Sequence, residues 1–359
     1  MTETTASVGT RRPADLDDDL LAALGDAGDR WLRSRHPYRP TVRTARRGDR
    51  PVAAVLTTRR PNTLAVKIAA YWAIDDSAGS DLVEGLIRES VAAGDAAVKW
   101  ELATDEPVPP FAARLGFTEL TPPYDSASGT RGVRGLVRWL RAEPTMEPPY
   151  YAQTTEFTCG AVAALLATEA AGEAGFGHGG TAGRDREITF WRAASNYPAC
   201  EPIGLAVALQ RESAAGVVEV HLDHDGPVLL ESFGDGFDHA FRAELQAESL
   251  RQAGAMGLTV GRDRVAISEI EHRVMGGSLA LLLIDEGPMH DGQAVPHWVL
   301  AHHAADGVIV IQDPWITAEE GESWVDTHLL PIGSEIVDRM TAWGAAGYRG
   351  VIFLERSAG

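Results

Sequence analysis

The stretch that most restricts how this 359-residue chain can fold is Thr154 to Ala171, TTEFTCGAVAALLATEAA. Its second part is a strong helix former and apolar almost all round, so the helix it predicts must be covered on every side. Such a helix commits the chain to a core built around it. The polar, partly β-branched TTEFT leads in, and Gly160 follows Cys159 directly, which puts Cys159 on the first helical turn. A helix N-terminus and a neighbouring imidazolium both favour the thiolate, the form in which a cysteine reacts. Gln153 lies on the approach to the helix, where its amide can curl back to the sulfur. With the Cys159 N–H it would give two donors for a developing oxyanion. A lone cysteine before an apolar helix is more often a small buried hydrophobe, so partners elsewhere in the sequence decide.

Charge excludes several kinds of partner. The formal net charge is -19, which opposes a nucleic-acid or anionic-membrane surface, and no run approaches the length of a membrane span. A peptide or protein substrate, neutral or locally basic, fits better. Cys159 and Cys200 are the only cysteines, too few for a disulfide framework or a thiolate zinc site; no metal and no cofactor are expected. With no secretory h-region at the N-terminus, the expectation is a cytoplasmic protein. All basic residues but Lys67 and Lys99 are arginine, a bias from which no function follows.

In chain order, residues 1–15 read as a disordered tail. Leu16 to Leu32 carries an amphipathic helix pattern, followed by a Pro- and Arg-rich loop. Strands are expected at Arg50–Arg59 and Thr63–Ile74, then a helix from about Ser80 to Ala93. A strand at Ala96–Leu102, a short helix near Pro110–Leu115 and a strand from Phe117 follow. This order and the run FAARLGFTEL (Phe111–Leu120) resemble the GNAT acyltransferase fold, which implies an α/β domain over 16–140. In that family the turn after the central strand holds the pyrophosphate of acetyl-CoA on backbone N–H groups. Here that turn reads DDSAGSDL, with one glycine, Gly79, and with Asp75, Asp76 and Asp81 where phosphate would lie. An N-acetyltransferase is one alternative function.

Residues 141–149, rich in proline, read as a linker, and 150–359 as a second domain. The glycine-rich loop Gly172–Gly183, with His178, is a flexible connection lacking the lysine of a phosphate loop. A helix from about Asp185 to Ala194 precedes a turn holding Cys200, where Glu201 disfavours a thiolate; Cys200 is read as structural. Val217–Leu222, Pro227–Leu229 and Leu258–Val260 are expected strands, Phe237–Met256 and Ile267–Met275 helices, and Leu279–Ile284 a buried central strand. His221, His224, His239 and His272 are scattered singly and read as satisfied histidines. PHWVLAHHAADGVIVIQDP (Pro296–Pro314) reads as a hairpin. A turn of four to five residues centred near Ala305 sets His297 opposite Asp313, the geometry in which a carboxylate orients an imidazole. His302 and His303 have no acid facing them.

Gln153, Cys159, His297 and Asp313 occur in the order of papain-like enzymes, with the histidine roughly 130–150 residues past the cysteine. QTTEFTCGA, HWVL and QDPW resemble the cysteine peptidases that trim double-glycine leaders from bacteriocins, and WRAASNYPACEPIGLAVAL resembles a stand-alone branch of that group. The resemblance implies an α+β protein, a papain-like cysteine peptidase domain preceded by a smaller α/β GNAT-like domain. It implies Cys159 as nucleophile, His297 as base, Asp313 as its orienting acid and Gln153 in the oxyanion hole. Asp285–Val295 is a polar loop at the rim. A non-catalytic peptide-binding module on the same fold is the other alternative.

Overall fold

Val- and Ala-rich segments of the N-terminal part pair into one seven-stranded sheet. The structure, a computed structural model, describes residues 7–177, 180–194, 198–213, 216–290 and 292–355, so His178 lies outside it. The strands are β1 (Ser7–Arg11), β2 (Thr41–Arg47), β3 (Arg50–Thr58), β4 (Ala65–Ala73), β5 (Ala97–Ala103), β6 (Thr118–Glu119) and β7 (Val133–Trp139). Their order is β1-β2-β3-β4-β5-β7-β6, and only β4 and β5 run parallel. Between those two the chain crosses over through helix Asp76–Ala92, whose Leu82, Val83, Leu86 and Ile87 bury against Val55, Ile68 and Trp100.

Four readings change here, the first being the short helix expected near Pro110–Leu115, which is a run of turns. Ser7–Arg11, expected in a disordered tail, adds an edge strand to β2; its side chains are all exposed, so no apolar alternation announced it. Thr41–Arg47, read as loop, is a strand whose arginines face outward between buried Val42, Thr44 and Ala45. The expected helix over Leu16–Leu32 breaks into Asp18–Leu24 and Gly28–Leu32 around Gly25, whose φ of +53° does not continue an α-helix.

The second sheet contains β8 (Val217–Leu222), β9 (Thr259–Gly261), β10 (Leu279–Asp285), β11 (Pro296–Ala305), β12 (Val308–Gln312), β13 (Leu330–Gly333) and β14 (Gly350–Glu355), in the order β13-β12-β11-β10-β14-β8-β9. Both faces of β10 are covered, as its unbroken apolar run requires. Leu281 and Leu283 face the fully buried helix Cys159–Ala170 and helix Pro202–Glu212, while Ala280, Leu282 and Ile284 face Ile270, Val274 and Val337. Pro227–Leu229 is not a strand: the Gln246 amide takes both backbone groups of Val228, and Leu229 sits at φ +59°. The helix expected from Asp185 begins at Gly180, and Gly183 within it lies so close to the Tyr151 ring that a Cβ would be 2.8 Å from Cε2.

The two sheets are joined by a shared core of Ala97, Val137, Tyr150, Val310, Trp324 and Leu329, and by a backbone bond from Leu64 N–H to the Pro331 carbonyl (2.8 Å). Both lysines of the chain are buried in this joint. Lys99 Nζ donates to the carbonyls of Val325 (2.9 Å) and His328 (2.6 Å), at the C-terminal end of the short helix Trp324–Thr327. Lys67 Nζ binds Glu101 (2.7 Å) and Asp326. An ammonium is a compact donor that fits converging carbonyls where the planar guanidinium fork does not. Burial, only partly offset by Asp326, brings Lys99 down to about 7. Lys99→Met strands those carbonyls, so a loss of about 3 kcal/mol of unfolding free energy is expected in urea titrations; a loss within error would contradict this account of the joint.

Candidate active site

Cys159 opens its helix because the segment before it is held by one buried acid. Glu187 accepts from Tyr151 Oη (3.0 Å), Thr154 N (2.8 Å), Thr154 Oγ1 (2.8 Å) and the hydroxyl of Thr158. With the Thr158 hydroxyl so engaged, Thr158 does not cap the Cys159 helix, and of the first-turn N–H groups that of Ala161 is turned to Cys200. The sequence reading missed Glu187, although it shares the i, i+3, i+7 face of buried Phe190 and Ala194.

Cys159 lies beside the His297 ring and adds to the upward push on it. His297 Nε2 meets Asp313 Oδ1 at 2.8 Å, so Nδ1 is the nitrogen left for the sulfur. The hairpin that brings the acid there differs from the expected one. Its turn is the two residues Asp306 and Gly307, both at positive φ (+52° and +70°), and Ala305 pairs with Val308. Continued unbroken, that register would put Asp313 on the face opposite His297. A bulge at His302 shifts it by one, so that Leu300 pairs with Gln312, and the two side chains share a face. His297 is thus a diagonal neighbour of Asp313 and not directly opposite it.

Asp313 is held on every side. Trp315 N–H donates to Oδ1 (2.9 Å), Tyr150 Oη to its carbonyl (2.8 Å), and Arg60 Nη1 to Oδ2. Arg60 comes from the β3–β4 turn of the other sheet, and its Nε and Nη2 also grip Glu322 (2.8 Å each). All three side chains are at most 2% exposed. Burial alone would raise Asp313; the Arg60 and His297 charges and their hydrogen bonds reverse this and hold it well below the usual carboxylate range.

A second acid approaches from the rim loop. Glu286 Oε2 is 3.7 Å from His297 Nδ1 and has no hydrogen-bond partner. Burial would lower His297, but Glu286, Asp313, the bond to Asp313 and the neighbouring Cys159 outweigh it, and the ring is raised well above the ordinary imidazole value. Glu286 is itself raised by burial, so Asp313 is the dependable anion of the two. In the same loop His290, 3.2 Å from Tyr38 Oη, is brought down to about 3 by burial and then by Arg60. Arg60, Glu322 and Glu286 were all missed by sequence reasoning; Arg60 falls between the two expected strands Arg50–Arg59 and Thr63–Ile74.

Gln153 is buried beside these groups, its backbone N–H on the Pro314 carbonyl (2.9 Å). Its Nε2 gives one hydrogen to the Thr155 carbonyl (2.8 Å), and its Oε1 is unpartnered. Cys200 packs against Gly160, where a Cβ would lie 3.0 Å from its sulfur, and burial pushes the thiol well up. That agrees with its structural reading. Among the described residues no group of His, Cys, Asp and Glu could hold a metal ion, and no helix is long and apolar enough to cross a membrane.

The turn that would hold acetyl-CoA does not fit that cofactor. Asp75 Oδ1 accepts from the N–H groups of Ser77 (3.0 Å) and Ala78 (3.1 Å), the donors a pyrophosphate would need. Beyond Ile68 and Trp100 the pairing of β4 and β5 ends, and Tyr71 packs its ring on Trp100 and Phe111 with its hydroxyl against Gly79.

Several solved structures are similar to the N-terminal part. They include an IAA acetyltransferase from Bacillus cereus (10% identity, 38% of this chain and 100% of that chain, TM-score 0.29) and an acetyltransferase from Bacillus subtilis (15%, 38% and 99%, TM-score 0.29). An aminoglycoside 6'-N-acetyltransferase from Enterococcus faecium is another (11%, 38% and 99%, TM-score 0.29). No curated protein matches the chain. Residues 148–355, more than half of the chain, match the family described as Peptidase_C39 like, and the chain belongs to that family.

Proposed function

We propose that the protein is a cysteine peptidase that transfers the acyl group of a peptide through Cys159. The observation that carries this reading is the buried His297–Asp313 hydrogen bond with Cys159 beside the ring. The Cys159 thiolate attacks the peptide carbonyl carbon, and the carbonyl π electrons move onto oxygen. The Cys159 N–H and the remaining hydrogen of Gln153 Nε2 receive that oxyanion. Collapse expels the amine, which takes its proton from the His297 imidazolium. Water or a second amine, deprotonated by His297, then releases the thioester and restores the thiol. Asp313, clamped by Arg60, keeps the ring in one orientation throughout. QTTEFTCGA and HWVL, the catalytic segments that resemble the leader-trimming peptidases, support a peptide substrate. The filled turn at Asp75 argues against an acetyltransferase.

Three outcomes are expected. At pH 5.5 iodoacetamide should alkylate Cys159 at least about ten-fold faster in the wild type than in His297→Ala, since the imidazolium favours the thiolate; mass spectrometry giving equal rates would leave a merely peptide-binding protein. Because negative charge raises His297 above the ordinary imidazole value, its proton is lost at higher pH than from a free imidazole. Glu286→Gln should therefore move the alkaline limb of that alkylation profile to lower pH, and an unmoved limb would remove Glu286 from the site. Arg60→Met leaves Glu322 buried without its countercharge and Asp313 with His297 alone, so stability should fall by about 3–5 kcal/mol in calorimetry or urea unfolding.

A further inference from the structure

A cleft of about 1110 Å³ lies between residues 12–41 of the N-terminal part and the rim loop before His297. Its charged lining runs against the composition of the chain. Acids outnumber bases by 51 to 32 overall, yet the cleft presents Arg12, Arg33, Arg35 and Arg39 against one described acid, Asp285. None of the four arginines meets a carboxylate among the described residues. Arg33 donates to the carbonyls of Ala318 (2.9 Å) and Glu319 (3.0 Å), and Arg35 to those of Arg33 (3.1 Å) and Arg30 (2.7 Å), all neutral partners; Arg35 also feels the charges of Glu101 and Asp326. Arg35 is 5% exposed and its Nε has no partner at all. By contrast Arg30, Arg46, Arg47, Arg59 and Arg60 each reach an acid. Asp285 is turned to its own loop, accepting from Gly287 N–H (2.9 Å) and Val295 N–H (3.2 Å).

Both walls lead to the dyad. Pro61 and Asn62 on one side follow Arg60, which holds Asp313; Gly287 and Pro288 on the other follow Glu286, which faces His297. The Asn62 amide bridges the walls by donating to the Pro288 carbonyl (2.6 Å). A cleft lined by one sign of charge concentrates the opposite sign, and guanidinium forks suit carboxylates. Its volume lies just above what small-molecule sites need, roughly 300–1,000 Å³, which suits a peptide segment better than a single anion.

We infer that this cleft binds an acidic stretch of the peptide substrate, flanking the bond that Cys159 attacks. The identification of the occupant as substrate rests on the peptidase reading. The acid-binding site does not. The test is isothermal titration of the full chain carrying Cys159→Ala with hexaglutamate or hexaglutamine, each capped at both ends. Hexaglutamate should bind at least about ten-fold more tightly, and more weakly in 0.5 M salt, where a screening length of a few ångströms cuts the attraction. Arg12→Ala with Arg39→Ala, both at exposed positions, should lose about ten-fold, while exposed Arg114→Ala should not. Equal binding of the two peptides, an unaffected double variant, or an oligothymidylate that competes as well as hexaglutamate would each overturn the inference. Preferential hexaglutamate binding alongside an unreactive Cys159 would uphold the acid site and remove the peptidase reading; a reactive Cys159 with no peptide preference would do the reverse.

Discussion

The guanidinium of Arg60 is the interaction on which this architecture turns. Three fully buried ionised groups are costly to desolvate, and they are tolerated because one planar fork satisfies Glu322 with two donors and Asp313 with a third. The acid beside His297 is therefore anionic because a residue from a different sheet makes it so. Separating the two halves would expose Arg60 and leave Asp313 with a much weaker hold on the ring. The halves cannot be treated as an acetyltransferase and a peptidase on one string.

The N-terminal part has the frame of an acetyltransferase fold. The crossover helix and the parallel β4–β5 pair remain, but Asp75 and Tyr71 fill the turn where a cofactor would dock. What this sheet contributes is at its other end: Arg60 from the β3–β4 turn, Lys67 from β4 and Lys99 from β5, all directed into the segment 313–328. Those three side chains hold the C-terminal acid and the segment after it.

Much of this was legible in the residues. The all-round apolar helix announced its burial, LALLLI its place in the middle of a sheet, and Cys159, His297 and Asp313 their common neighbourhood. Two errors in the hairpin cancelled: the turn is shorter than expected, which alone would have put Asp313 on the wrong face, and a bulge at His302 restores the parity. Bulges leave no periodic trace, because a single extra residue is compatible with any side chain. The edge strand Ser7–Arg11 was illegible for another reason, since strand periodicity reports one buried face and this strand has none. Arg60, Glu322, Glu286 and Glu187 were missed because an acid or base is recognised as functional only through its partner, and each partner comes from a distant part of the chain.

The location of the lysines has a practical consequence. The side-chain amines of Lys67 and Lys99 are sealed beneath the segment Ser323–His328, in contact with it and with each other's neighbours. Amine-directed acylating reagents, and proteases that cut after lysine, can reach these residues only in molecules whose halves have parted. Labelling at either position would serve as a clock for domain separation, built into the natural sequence and requiring no engineered probe.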